Sequence, residues 1–206
     1  LLLPAVAFCL SLFVALAVGL TFYMESRHIV EEREIGDLDH KASVIKAEIE
    51  QVYEAAAAGV SFLSQTPAVL AIAEHARLGE DEQVQQWRER LEVIFIGVLN
   101  VRPIYSKISY VQADQLASEI VAASNPYSGA QAIPIQNYKN YTDSVVFNKT
   151  LSLNEGQIYF SDVTIEPADA QSGNARRLSF TVSTPVFDSA SGELFGAVLI
   201  EVDFGE

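Results

Sequence analysis

Apolar and polar positions divide the chain into stretches with different repeats. Leu1–Met24 is apolar throughout and holds no Asp, Glu, Lys, Arg or His. About 20 apolar residues in a helix cross the hydrocarbon core of a bilayer, so this run is read as a transmembrane helix. Phe22 and Tyr23 at its downstream end suit the interface. A secretory signal with Ala15-Leu16-Ala17 as its cleavage site is the competing reading; the uninterrupted length favours an uncleaved anchor. Residues 25–65 are then read as one long helix. Ile35, Leu38, Ala42, Ile45, Ile49, Val52, Ala56, Gly59 and Leu63 recur at alternating spacings of 3 and 4, a heptad seam. Such a seam serves either packing on its own domain or a parallel homodimer rising from the membrane.

Thr66-Pro67 restarts the pattern with a favoured helix opening, and Gly79 closes a short helix over 67–78. A third helix is predicted over 81–100, its buried face marked by Val84, Trp87, Leu91, Ile94, Phe95 and Val98. Trp87 reads as core. After Arg102-Pro103 the period becomes 2: Ile104, Ser106, Ile108, Tyr110 and Gln112 alternate with Tyr105, Lys107, Ser109 and Val111. Ser118–Ser124 reads as the hairpin partner, 125–137 as an irregular loop, and 141–151 as a short helix. Three further strands are expected over 157–165, 177–187 and 194–204, the last two joined by a polar turn at 188–193. The expected fold class is α+β: a transmembrane helix, a long helix and two shorter ones, and an antiparallel sheet of about five strands backed by helices. The domain plan is 1–24 membrane span, 25–65 membrane-proximal or dimerisation helix, and 66–206 a single α+β lobe. Starting at Leu and ending after an apolar run, the chain reads as a fragment.

Charge changes this picture. All 27 acids and 13 bases of the 206 residues lie beyond Met24, for a net charge of −14. An acidic surface argues against nucleic acid as a partner and is repelled by anionic membrane surfaces. One cysteine, Cys9, excludes a disulfide framework and a Cys-based zinc site. His28, His40 and His75 share no metal-ligand spacing, and Asp37 and Asp39 beside His40 read as a solvated helix face. There is no phosphate loop, dinucleotide fingerprint, HExxH or GxSxG. No cofactor and no catalytic residue is therefore expected, which ranks an exported enzyme lowest. Asn140-Tyr141-Thr142 and Asn148-Lys149-Thr150 fit the glycosylation triplet, which matters only in a eukaryotic secretory pathway.

Polar and aromatic residues gather on or beside the expected strands: Arg102, Tyr105, Tyr110, Tyr138, Tyr141, Tyr159, Ser161, Asp162, Thr164, Arg176 and Arg177. Arg grips carboxylates through two parallel hydrogen bonds, Asp accepts from ammonium groups, and Tyr supplies walls and a hydroxyl. Together they suit a pocket for a small polar metabolite. Taken singly, each also reads as an ordinary strand Tyr or a solvated Arg.

Three segments carry a family resemblance. They are Asn100–Tyr105 leading into Ile108–Asp114; Gly156–Val163; and Thr184–Asp188 with Gly192–Phe204. With the membrane helix and the long helix before them, they resemble bacterial extracytoplasmic Cache (PAS-like, PDC) sensor domains. The last segment looks like the final strands of the membrane-distal lobe of a double Cache sensor. The resemblance spans nearly the whole chain. It implies a periplasmic ligand-sensing module of an inner-membrane receptor, a histidine kinase, diguanylate cyclase or chemoreceptor. The expected working form is a non-enzymatic sensor of a small metabolite, paired as a parallel homodimer through the heptad seam. Amino-acid-binding members carry an Arg-x-Trp-Tyr motif on the pocket insertion; here the insertion reads Tyr138-Lys139-Asn140-Tyr141. The family's Asp position falls near Glu166. The resemblance thus leaves the ligand open and keeps Tyr141 and Asp162 as pocket residues by position; together with Glu166 and the strand-side residues above, the ligand-binding candidates are Arg102, Tyr110, Tyr138, Tyr141, Asp162, Thr164 and Glu166. A ligand-free dimerisation or partner-binding ectodomain is the alternative.

Overall fold

The computed structural model describes residues 16, 18, 40–126, 129–166 and 177–204. The chain divides into two compact units, Leu1–Val52 and Tyr53–Glu206. In the first, Leu16 and Val18 are helical, and residues 40–52 are helical and exposed except for half-buried Val52. The rest of the expected membrane span, and seam residues Ile35 and Leu38, lie outside the described residues. Among the described residues no single helix is long and apolar enough to cross a membrane.

The elements are α1 (His40–Ser64), α2 (Pro67–Leu78), α3 (Asp81–Val101), β1 (Tyr105–Gln112), β2 (Glu119–Ser124), β3 (Gln131–Ala132), a 3-10 turn (Ile135–Asn137), α4 (Val145–Leu151), β4 (Tyr159–Phe160), β5 (Thr164–Glu166), β6 (Arg177–Phe187) and β7 (Leu194–Asp203). Helix ends follow local chemistry. Thr66 occupies the N-cap of α2, but its hydroxyl donates to the Leu63 carbonyl at 2.8 Å instead of capping. Gly79 ends α2 in the left-handed conformation, φ +72°, which a residue without Cβ adopts freely. Ser144 caps α4 by accepting the Phe147 N–H.

The strands form one seven-stranded antiparallel sheet in the order β3-β2-β1-β7-β6-β4, with β5 also on β6. The α+β class holds, with seven strands where about five were expected. The difference lies in short pieces. The expected 157–165 strand breaks at Ser161, whose hydroxyl accepts the Thr181 N–H at 2.8 Å where a ladder carbonyl would stand. β3 and the 3-10 turn lie in the stretch read as an irregular loop.

The helix-side face of the sheet is apolar. Ile108, Tyr110, Phe180, Val182, Val198, Ile200 and Val202 are buried there, in register across β1, β7 and β6. α1 contributes Ala56, Val60 and Leu63, so the upper seam is used inside the lobe. Tyr53 stacks on Phe180 with ring centroids 4.4 Å apart. At Gly196 on β7 a Cβ would stand 2.2 Å from the Val111 carbonyl oxygen of β1, so only Gly fits.

Candidate functional site

The opposite face of the sheet is covered by the segment 133–151 and carries polar groups. Two irregularities in β1 aim them. One lies between Tyr105 and Lys107. In a regular strand these residues share a face. Here Tyr105 turns to the helices, donating to the Ala55 carbonyl at 3.1 Å, while Lys107 turns to the other side. The second lies between Tyr110 and Val111 and places Glu119 opposite Val111. The β1–β2 connection is tight: Ala117 has φ +43°, an uncommon backbone for a residue with Cβ. Its carbonyl accepts the Tyr141 N–H at 2.9 Å, fastening the covering segment to the hairpin.

Glu119 is the hub. Its Oε1 accepts from Lys107 Nζ at 2.5 Å, Ser109 Oγ at 2.9 Å and the Tyr141 hydroxyl at 3.1 Å; its Oε2 accepts from the Lys139 N–H at 2.9 Å. One carboxylate thus joins two strands to the covering segment. Its side chain is fully buried and that of Lys107 is 7% exposed. Charges at this depth persist only when paired and hydrogen-bonded. Lys107 also donates to the Tyr141 hydroxyl at 3.3 Å, and its ammonium lies 5.7 Å from the centre of that ring. The Tyr141 phenol is pushed well above its ordinary pKa by burial first, then by the Glu119 and Glu201 carboxylates. It therefore stays a neutral donor.

Around the hub an apolar cluster of Val111, Ala117, Tyr141, Phe147, Ala197 and Leu199 excludes water. Farther along, Thr150 donates to the Val146 carbonyl at 2.7 Å, so the 2.6 Å contact between Thr150 Oγ1 and Ser183 Oγ is donated by Ser183. Beyond it the face opens. Ser179, Thr181 and Glu201 are half-buried and Thr164 is exposed, its hydroxyl 3.2 Å from Ser179 Oγ.

The sequence candidates separate on this frame. Tyr141 stands in the hub; Tyr138 is half-buried at the end of the 3-10 turn, beside Lys139. Thr164 lies at the open end of the polar strip. Asp162 is exposed in the break between β4 and β5, and Glu166 is opposite Arg177 in the β5–β6 register. Tyr110 is on the other face, fully buried, its hydroxyl donating to the Val69 carbonyl at 3.3 Å; burial raises its pKa. Arg102 caps the end of α3, exposed, also on the helix side. Lys107, Ser109, Glu119, Thr150 and Ser183 were not singled out from the sequence. The available signal was a Lys and a Glu inside the otherwise apolar runs SKISYV and SEIVAAS.

No protein-family model and no curated protein matches the chain. Solved structures do. An extracellular domain assigned to a histidine kinase, vpHK1S-Z8, superposes with a TM-score of 0.64 at 15% identity, over 84% of this chain and 60% of that one. The chain has the fold of an extracellular sensor domain. A domain of a sensory box/GGDEF family protein from Vibrio parahaemolyticus gives 0.54 at 18% identity, over 77% of this chain and 53% of that one. The sensor domain of the V. cholerae histidine kinase DctB gives 0.51 at 10% identity, over 77% and 51%. This chain therefore spans about half to three-fifths of the length of these neighbours.

Proposed function

We propose that this chain is the sensory region of a membrane-bound bacterial signalling receptor, non-enzymatic in itself, and that it binds a small polar metabolite. The ligand site is the polar strip between the Lys107–Glu119–Tyr141 hub and Thr164, under the 133–151 segment. The observation that carries this reading is Glu119, which hydrogen-bonds both the sheet and the covering segment, so a ligand that redistributes its donors moves that segment. Tyr138, Asp162 and Glu166 flank the strip and remain candidates for contact. Residues 1–24 anchor the chain in the inner membrane, 25–65 lead to the sensory lobe of 66–206, and the lobe faces the periplasm. Exposure of Ile45 and Ile49 on α1 supports a parallel homodimer along the lower seam. Binding biases the output only by its preference for one arrangement of that dimer.

A thermal-shift panel of amino acids, dicarboxylates and small amines tests the site. A midpoint raised by several degrees, and lost on Thr181→Val and Tyr141→Phe, is the expected result. A panel without a shift, or a shift that survives both changes, overturns ligand sensing at this strip and favours a ligand-free partner-binding ectodomain. For the dimer, a Cys9→Ser, Ile45→Cys chain should crosslink in membranes.

A further inference from the structure

The helix side of the lobe carries a concavity of its own. Between α1 and the C-terminal half of α3 runs a groove of about 490 Å³, within the volume range of small-molecule sites. Ala55, Ala58, Gly59 and Gly97 form its small-residue lining, and Phe62 and Val101, 65% and 76% exposed, flank it. One end is polar: Arg102 and the Tyr105 ring line it. Among the described residues Arg102 makes no ion pair.

The two glycines differ in a telling way. At Gly59 a Cβ would stand 2.9 Å from the Tyr105 hydroxyl, so internal packing explains the residue. At Gly97 a Cβ would meet nothing within 4 Å. Gly is the poorest helix former after Pro, and Gly97 stands inside a 21-residue helix. No contact within the lobe calls for a Gly there. Its effect is to keep the groove open.

We propose that this groove is a second ligand site, which takes a small amphipathic anion with its apolar body over Gly97 and Ala58 and its carboxylate on Arg102. Arg102 fits the head group because guanidinium pairs with carboxylate in two parallel hydrogen bonds. The arginine already acts on this end of the groove, since its charge lowers the Tyr105 phenol against the upward push of burial. Size argues for a small molecule over a second copy of the chain. Eleven residues line the groove, about half or less of the roughly 20–30 per side in a stable protein–protein interface.

The test uses the full chain in nanodiscs, with 2-naphthylacetate as the probe and 2-naphthylacetamide as its uncharged match. Binding is measured by equilibrium dialysis against empty nanodiscs. The carboxylate should bind saturably and at least fivefold tighter than the amide. Gly97→Leu fills the groove and improves helix propensity, so the fold survives; it should weaken the carboxylate at least tenfold. Arg102→Gln should bring carboxylate and amide to equal affinity. Non-saturable uptake, or binding indifferent to Gly97→Leu, overturns the proposal. So does a Gly97→Leu chain that changes oligomeric state while the wild type binds no probe, which would make the groove a contact between copies.

Discussion

The two faces of the sheet are built on different physics. The helix side is held by apolar burial: Ile108, Val182, Val198, Ile200 and Phe180 meet the helices, and Tyr110 needs only one carbonyl for its hydroxyl. The other side places a buried ion pair at its centre and closes it with Tyr141 and Phe147. Apolar packing is non-directional and tolerates exchange of similar shapes. A buried carboxylate with four donors is directional, and losing one partner leaves a charge without compensation. The first face gives the lobe its stability. The second fixes the arrangement of the covering segment through directional bonds to one carboxylate.

The largest test of this contrast is Glu119→Ala. It leaves the Lys107 ammonium buried and unpaired and should cost about 3–5 kcal/mol in urea unfolding. Lys107→Met with Glu119→Leu should recover most of that loss, because an apolar pair of similar volume carries no desolvation penalty. If the double variant is no more stable than the single one, the cost of Glu119→Ala does not come from an unpaired Lys107 charge.

Next comes Gly196→Ala, where both faces share a backbone contact. The added methyl forces β7 away from the Val111 carbonyl and should cost about 1–3 kcal/mol. Two conservative changes then compare the faces directly. Tyr141→Phe removes a donor to Glu119 and an acceptor for Lys107, and should cost about 1.5–3 kcal/mol, as expected for a hydrogen bond to a charged group. Tyr110→Phe removes a 3.3 Å bond to a carbonyl inside a helix and should cost about 0.5–1 kcal/mol. Equal losses would erase the distinction.

The smallest effect is electrostatic and lies at the β6–β7 turn. The Ser191 hydroxyl is the main cause that holds the Asp188 carboxyl below its ordinary 3.8, aided by the Ala190 N–H and Arg77. Arg77 Nε donates to it at 2.8 Å from α2. A folded pKa below the unfolded one stabilises the fold above pH 3.8, and that contribution is lost as pH falls through the folded value. Melting temperature should therefore fall more steeply below about pH 4 in the wild type than in Asp188→Asn.

Much of the lobe was legible in the residues. Pro67 and Gly79 bounded α2, and the 3.6-residue spacing of Leu91, Phe95 and Val98 gave α3. β6 begins and ends where the period-2 pattern does. Tyr141 was legible as a candidate because an aromatic with a hydroxyl stood in a polar insertion. Lys107 and Glu119 were not, because a strand's alternation tells which residues share a face only while the strand is regular. The face reading failed at Tyr105 and Lys107, where the irregularity in β1 sends them to opposite sides. Arg102 and Tyr110 were grouped with Tyr141 and Thr164 because all lie on or beside strands, and the sheet puts the first two on its helix side and the other two on the opposite face.

What the sequence by itself determined is the order and type of the longer elements of the described lobe, since local periodicity and caps act over a few residues. It also determined the apolar and acidic divisions of the chain, which are matters of composition. Which side chains share a site was decided only by the tertiary structure. Two bulges, a left-handed Ala117 and the contact at Gly196 set the register. A shift of one residue in register moves every side chain of a strand to the other face.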